Sequence, residues 1–203
     1  MRSAEEGAAV LLVLIVVLVL AGLAFAGVSL ADLEGGASAN DARAFSVTYA
    51  ADAAMERAIH DLDRTPDWSQ VLSGTVSSPL RDPAPQPRAP WAELLDIGAM
   101  TVDVQRDANL GAGPDQTRWR VFLAGPLAAM LPDTPAEVLP YVVAWVGDDP
   151  ADGDGDPSTD ANQVVRVRVR ALGPRAGRAD REAVMERVPG SGVVRVRSRW
   201  DPR

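Results

Sequence analysis

Residues 8–31, AAVLLVLIVVLVLAGLAFAGVSLA, are apolar or small without interruption and carry no formal charge. At about 1.5 Å of rise per residue such a run crosses a hydrocarbon core of roughly 30 Å as one helix. The pattern then changes. After Asp32-Leu-Glu-Gly-Gly, residues 37–64 contain no proline and much alanine. Phe45, Tyr49, Ala53, Met55, Ile59 and Leu62 recur there at spacings of two to four, near one side of a helix, while Asp41, Arg43, Asp52, Glu56 and Arg57 fill much of the remainder. Phe45, Tyr49, Met55, Ile59 and Leu62 are the expected assembly and packing face. Together the two segments predict one long helix, membrane-spanning and then amphipathic. It is expected to bend or unwind at Gly35-Gly36, because each glycine weakens a helix by about 1 kcal/mol.

Beyond the helix, Pro79, Pro83, Pro85, Pro87 and Pro90 bar helix or central strand and favour an extended connector. Alternating and β-branched patterns then predict strands over 100–106, 118–124, 140–147, 164–172, 178–187 and 193–200, with 125–140, which holds four prolines, as a loop containing a helical turn. In the best-defined hairpin, Val165, Val167, Val169 and Ala171 alternate with Arg166, Arg168 and Arg170, and Gly173-Pro-Arg-Ala-Gly177 forms the turn. A turn centred on Arg175 sets Arg170 opposite Asp180 and Arg168 opposite Glu182, on what is expected to be the solvent side. The fold class is α+β, a long N-terminal helix packed on an antiparallel sheet. Its divisions are a leader at 1–7, a transmembrane helix at 8–31, an amphipathic continuation at 32–66, a proline-rich connector at 67–99 and a sheet ectodomain at 100–203.

Composition narrows the chemistry. With 28 acidic and 20 basic residues, all of the latter arginine, the net charge is −8, which disfavours general affinity for nucleic acid or anionic lipid. Arg166, Arg168, Arg170, Arg195, Arg197 and Arg199 would form a basic face suited to DNA, but Asp180, Glu182 and Glu186 lie among them and no aromatic platform does. The favoured reading is therefore a solvated sheet face with no nucleic-acid partner. Cysteine is absent, so packing, with or without a metal, must hold the fold. Catalytic signatures are wanting. The single histidine, His60, sits on the amphipathic helix, no lysine is present for a P-loop or Schiff base, and no Gly-x-Ser-x-Gly elbow occurs. The chain is not expected to be an enzyme.

One segment invites a cation. Six aspartates fall within DDPADGDGDPSTD at 148–160, and Asp152, Asp154 and Asp156 have the alternate spacing of the first ligands of calcium loops. Pro157 stands where an EF-hand requires glycine and Gln163 where it requires a bidentate glutamate, so Asp160 would complete a different geometry. Two readings stay open: a Ca2+ site made by Asp152, Asp154, Asp156 and Asp160, or a solvated acidic turn between two strands.

The order of Glu5-Glu6-Gly7-Ala8-Ala9, the aliphatic run, an acidic patch, Asn40-Asp41-Ala42-Arg43-Ala44-Phe45 and Tyr49-Ala50-Ala51-Asp52-Ala53-Ala54-Met55-Glu56-Arg57-Ala58 resembles the N-terminal region of PilX-type pilus assembly proteins. These are minor components of type IV pili, related to the pseudopilins of type II secretion. The resemblance covers about the first third of the chain and extends weakly to Pro66-Asp67-Trp68. It implies a pilin-like fold and a leader cut between Gly7 and Ala8 by a prepilin peptidase, which then methylates the new terminus. It also implies residence in the inner membrane before incorporation, through the helix, among other pilins. Two positions depart from the family pattern. Leu12 replaces the glutamate that major pilins carry five residues into the mature chain, which points to a minor subunit, and the leader contains Glu5 and Glu6 beside Arg2. Arg2 precedes the run and Arg43 is the first basic residue after it, which places the N-terminus inside and the ectodomain in the periplasm or outside the cell. Other readings are a permanently anchored extracytoplasmic binding domain, with calcium as a stabiliser, and a secreted hydrolase whose signal is cut near Ala24-Phe-Ala-Gly27.

Overall fold

The computed structural model describes residues 2–109, 117–131 and 140–202. The chain divides into two compact units, Met1–Arg43 and Ala44–Arg203. The first is helical throughout its described length and belongs to helix α1, Arg2–Asp63. The helix passes through Gly35 and Gly36 unbroken, contrary to the expected unwinding. Extending an existing helix fixes one residue per hydrogen bond gained, so two glycines flanked by good helix formers are tolerated where a nucleus would not be. From Val13 to Leu33 the large apolar side chains are all exposed, among them Leu18, Leu23, Phe25 and Leu33.

The second unit is α+β. It contains the last turns of α1, the short helix α2 (Ser69–Leu72), helix α3 (Ile97–Asn109) and five strands: β1 Arg120–Pro126, β2 Tyr141–Asp148, β3 Val164–Leu172, β4 Arg178–Arg187 and β5 Val194–Trp200. The strands form one antiparallel meander in the order β1-β2-β3-β4-β5. A 3-10 turn at Leu127–Ala129 opens the loop after β1, and the rest of that predicted loop, 132–139, lies outside the described residues. Strands β3 and β4 pair Arg168 with Glu182 and Arg170 with Asp180, the register expected from a turn centred on Arg175. Arg175 and Ala176 take positive φ there, at 58° and 61°.

One face of the sheet packs on α1. Val47, Ala50, Ala51, Ala54, Met55, Ala58 and Leu62 are buried with Val142, Ala144, Val146, Val165, Val167, Val169, Ala171, Ala183 and Met185. Of the expected packing face, Met55 and Leu62 are buried and Ile59 is half-buried, but Phe45 and Tyr49 are 62% and 70% exposed. At 100° per residue, positions 45 and 49 lie about 40° apart and on the side of the helix away from buried Ala58. Alanines occupy the contact because small side chains let a helix lie close against a sheet. Arginines of β4 and β5 add polar ties to the same helix. Arg181 Nε meets Asp52 Oδ1 at 2.8 Å, Arg199 meets Glu56 Oε1 at 2.7 Å, and Arg187 donates to the carbonyl of Leu62 in the last turn (3.2 Å) and to that of Thr65 just past the helix (2.8 Å). Arg187 also lies 4.8 Å over the ring of buried Trp68, whose Nε1 donates to Leu62 O at 3.0 Å.

The other face carries a second layer where solvent was expected. Residues 100–106 form part of α3 and not a strand. Their alternation imitates a strand, but Ile97, Met100 and Val104 follow the helical period and pack with Trp119, Tyr141, Val143 and Trp145. Asp96 Oδ1 accepts the Ala99 amide at 2.8 Å, a capping bond at the start of the helix. Thr101 Oγ1 accepts from Trp145 Nε1 at 2.9 Å, and Gln105 bonds both Thr117 O and Trp119 N. Beneath this cover Arg168 and Arg170 are 4% and 3% exposed. The Arg166-Arg168-Arg170 row is therefore buried or half-buried, not solvated. Arg166 pairs with Glu182, Arg168 with Asp107 of α3 at 3.0 Å, and Arg170 with Asp180 at 2.9 Å. Arg166 and Arg170 lie over the rings of Trp119 and Trp145. Burial pushes the Asp180 carboxyl up, but hydrogen bonds from Arg170 and Arg178 outweigh it and hold the group below the usual aspartate range.

The proline-rich segment does more than connect. Ser78 N donates to Phe122 O at 2.9 Å and Asp82 N to Ala124 O at 2.7 Å, so it shields the outer edge of β1. Gly125 belongs to this contact, since a Cβ there would come within 3.2 Å of Leu80 O. Ser78 Oγ also donates to buried Asp61 of α1, which Arg57 pairs at 3.0 Å.

The division of the helix surface predicts unequal costs for two substitutions. In denaturant unfolding of the full chain in detergent, Met55→Ala is expected to lose about 2–5 kcal/mol, as buried large-to-small changes do. Tyr49→Ala should stay within about 0.5 kcal/mol of the parent, as exposed substitutions do. Equal losses would show that the buried face has been misassigned.

Candidate functional site

Two regions bear on function. The first is α1 itself. Gly7 and Ala8 lie within its first turns. From Val13 onward it is long and apolar enough to cross a membrane, by length and composition.

The second is the loop from Asp148 to Val164. Asp148 is the last residue of β2, pairs with Val165 of β3 and is 5% exposed. Its carbonyl accepts from Thr117 Oγ1 at 3.0 Å, which fixes the strand end. After it the chain curls through Gly153 and Gly155, both at positive φ (76° and 72°), a conformation that costs glycine little. This curl brings carboxylate oxygens of Asp148, Asp152 and Asp154 within 4.8 Å of one another. The three line a cavity of about 210 Å3 together with Thr117, Asp149 and Asp156.

Of the four ligands expected from spacing, only Asp152 and Asp154 join this group. Asp156 is turned to its own loop, where its oxygens accept Ser158 N (3.0 Å) and Thr159 Oγ1 (3.0 Å). Asp160 is buried and organises the start of β3, accepting Val164 N and Gln163 Nε2, both at 3.2 Å, while its amide donates to Ser69 Oγ of α2 at 3.1 Å. The missed member is Asp148. Its signal was present in the sequence: an acidic residue that directly continues the apolar strand pattern of 140–147 must sit at the buried end of that strand.

Burial dominates the electrostatics here. It pushes the Asp148 carboxyl up to about 7, partly offset by the Asp149 amide and reinforced by Asp152, Asp160 and Asp154. Asp160 is pushed up to about 6, again by burial first, with the Gln163 and Val164 backbone bonds opposing. Among the described residues no arginine forms an ion pair with Asp148, Asp152 or Asp154.

Comparison with family models, curated proteins and solved structures finds no match for this chain.

The raised carboxyls fix a direction for pH dependence. Both bind a proton more tightly in the folded chain than at the ordinary value of 3.8. The stability they contribute is full below that value and is lost as pH rises, through about 6 for Asp160 and about 7 for Asp148. In chelator, the melting temperature of the parent is therefore expected to fall relative to Asp148→Asn between about pH 4 and pH 7 and to level off above that. A gap that stays constant across that range would mean the Asp148 carboxyl titrates normally.

Proposed function

We propose that the chain is a minor, structural subunit of a type IV pilus or of a related secretion filament, held in the inner membrane by one helix before assembly. The observation that carries this reading is the two-part character of α1. Residues 8–31 carry no charge and the large apolar side chains from Val13 to Leu33 are exposed, whereas the last turns of the helix are fastened to the sheet by an alanine face and three arginine ties. An uncharged apolar helix suits lipid and a bundle of like helices equally, so extraction exchanges one apolar environment for another at modest cost. Leu12 leaves it without the carboxylate that sets register in major pilins, in keeping with an accessory position. In this reading a prepilin peptidase cuts between Gly7 and Ala8, and the partners are the bilayer and then neighbouring pilin helices. The second unit faces the periplasm or the exterior, as a structural module with no catalytic role.

Nucleic acid is not a favoured partner. Each of the six arginines that would make a basic face is already paired: Arg166, Arg168 and Arg170 with Glu182, Asp107 and Asp180, Arg195 and Arg197 with Glu186, and Arg199 with Glu56.

The test is mass spectrometry of the mature N-terminus after expression in a host with a prepilin peptidase. A terminus at Ala8, methylated, is the expected result. An intact Met1 would instead indicate a permanent anchor bearing an extracytoplasmic binding domain, and a terminus near Val28 would rule out both readings in favour of a secreted protein.

A further inference from the structure

We propose that the β2–β3 loop binds one calcium ion through the carboxylates of Asp148, Asp152 and Asp154. The cluster alone would be no argument, because exposed acidic turns are common in the absence of any ion. What singles it out is Asp148. This carboxylate is 95% buried at the end of a central strand, and its Oδ1 lies wholly out of contact with solvent without a hydrogen-bond partner. A buried carboxylate oxygen left in that condition costs far more than a neutral group, and such oxygens in folded proteins are satisfied by a donor, by water or by a cation. Carboxylate oxygens of Asp152 and Asp154 lie within 4.8 Å of a carboxylate oxygen of Asp148, and they cannot donate when ionised. A cation satisfies all three at once.

The geometry fits a hard ion of calcium's size. Oxygens within 4.8 Å of one another can share an ion with Ca–O distances of about 2.4 Å, since the widest separation across such an ion is twice that distance. Magnesium, with bonds of about 2.0–2.1 Å and a strict octahedron, demands a tighter set and holds its waters. Asp152 and Asp154 each use one oxygen to shape the loop, Asp152 Oδ2 accepting Ala161 N and Asp154 Oδ1 accepting Asp156 N, both at 2.8 Å, and keep the other for the ion. Asp148 supplies the rigid ligand from the strand end, and the glycine-hinged loop closes on it. The ligand set thus differs from the one that spacing suggests: Asp148 enters, while Asp156 and Asp160 are engaged in hydrogen bonds that build the loop.

Isothermal titration of the full chain in detergent with CaCl2, after chelator treatment, tests this. Saturable binding of one ion is expected. Asp148→Asn, which keeps the shape of the side chain, should weaken it at least about tenfold, and Asp63→Asn, an exposed carboxylate at the end of α1, should change it by less than about twofold. Cooperative melting of Asp148→Asn in chelator verifies that the variant folds. If it does not fold, Asp154→Asn, on the exposed part of the loop, carries the same expected tenfold loss. No saturable heat up to millimolar calcium, equal weakening by Asp63→Asn, or MgCl2 binding as tightly as CaCl2 would each overturn the assignment.

Discussion

The contact between the alanine side of α1 and the valine side of the sheet sets the terms for everything else in the second unit. Ala50, Ala51, Ala54 and Ala58 offer little area individually, so the contact gains its strength from closeness and from the larger side chains of Met55 and Leu62 among them. Closeness has requirements on the sheet side too. The inward positions of β3 are Val165, Val167, Val169 and Ala171, a nearly level surface with no long side chain to hold the helix away. Aromatic residues are kept out of this layer of the helix, and the two that the sequence places nearby, Phe45 and Tyr49, point elsewhere.

A sheet with one face so committed still has to do something with the other. Here the opposite positions of β3 are arginines, and α3 lies over them. Burying a guanidinium is tolerable only when charge and hydrogen bonds are both met, and the structure supplies carboxylates from β4 and α3 together with tryptophan rings below the flat guanidinium faces. Pairing of this kind specifies register as well as compensating charge, since a slip of one residue would send the arginines into the alanine layer and the valines into the ionic one.

The elements legible from the amino-acid pattern were those with a single strong periodicity. The apolar run, the β3–β4 hairpin and its cross-strand pairs follow from alternation and turn residues alone. Residues 100–106 misled because Thr101-Val-Asp-Val-Gln105 alternates like a strand, while the buried positions Ile97 and Val104 lie two helical turns apart. That single misreading hid the second layer, and with it the burial of the arginines, because nothing else in the sequence announces what covers a polar-looking strand face. The acidic loop shows the same limit at smaller scale. Spacing within a loop identifies residues able to converge, but the carboxylate that joins them from the strand end, Asp148, lies outside that spacing and is marked only by the apolar pattern before it.

The three arginines that reach α1 have a mechanical meaning. Arg181 and Arg187 come from β4 and Arg199 from β5, and they grip the helix at Asp52, at its last carbonyls and at Glu56. A pull transmitted along α1 would enter the sheet through three spaced tethers and a broad apolar contact acting in parallel. Load shared in this way must break several bonds together before the helix parts from its sheet, whereas a single attachment would fail one bond at a time. Such a joint would let tension along the helix arrive at the folded end without unravelling it.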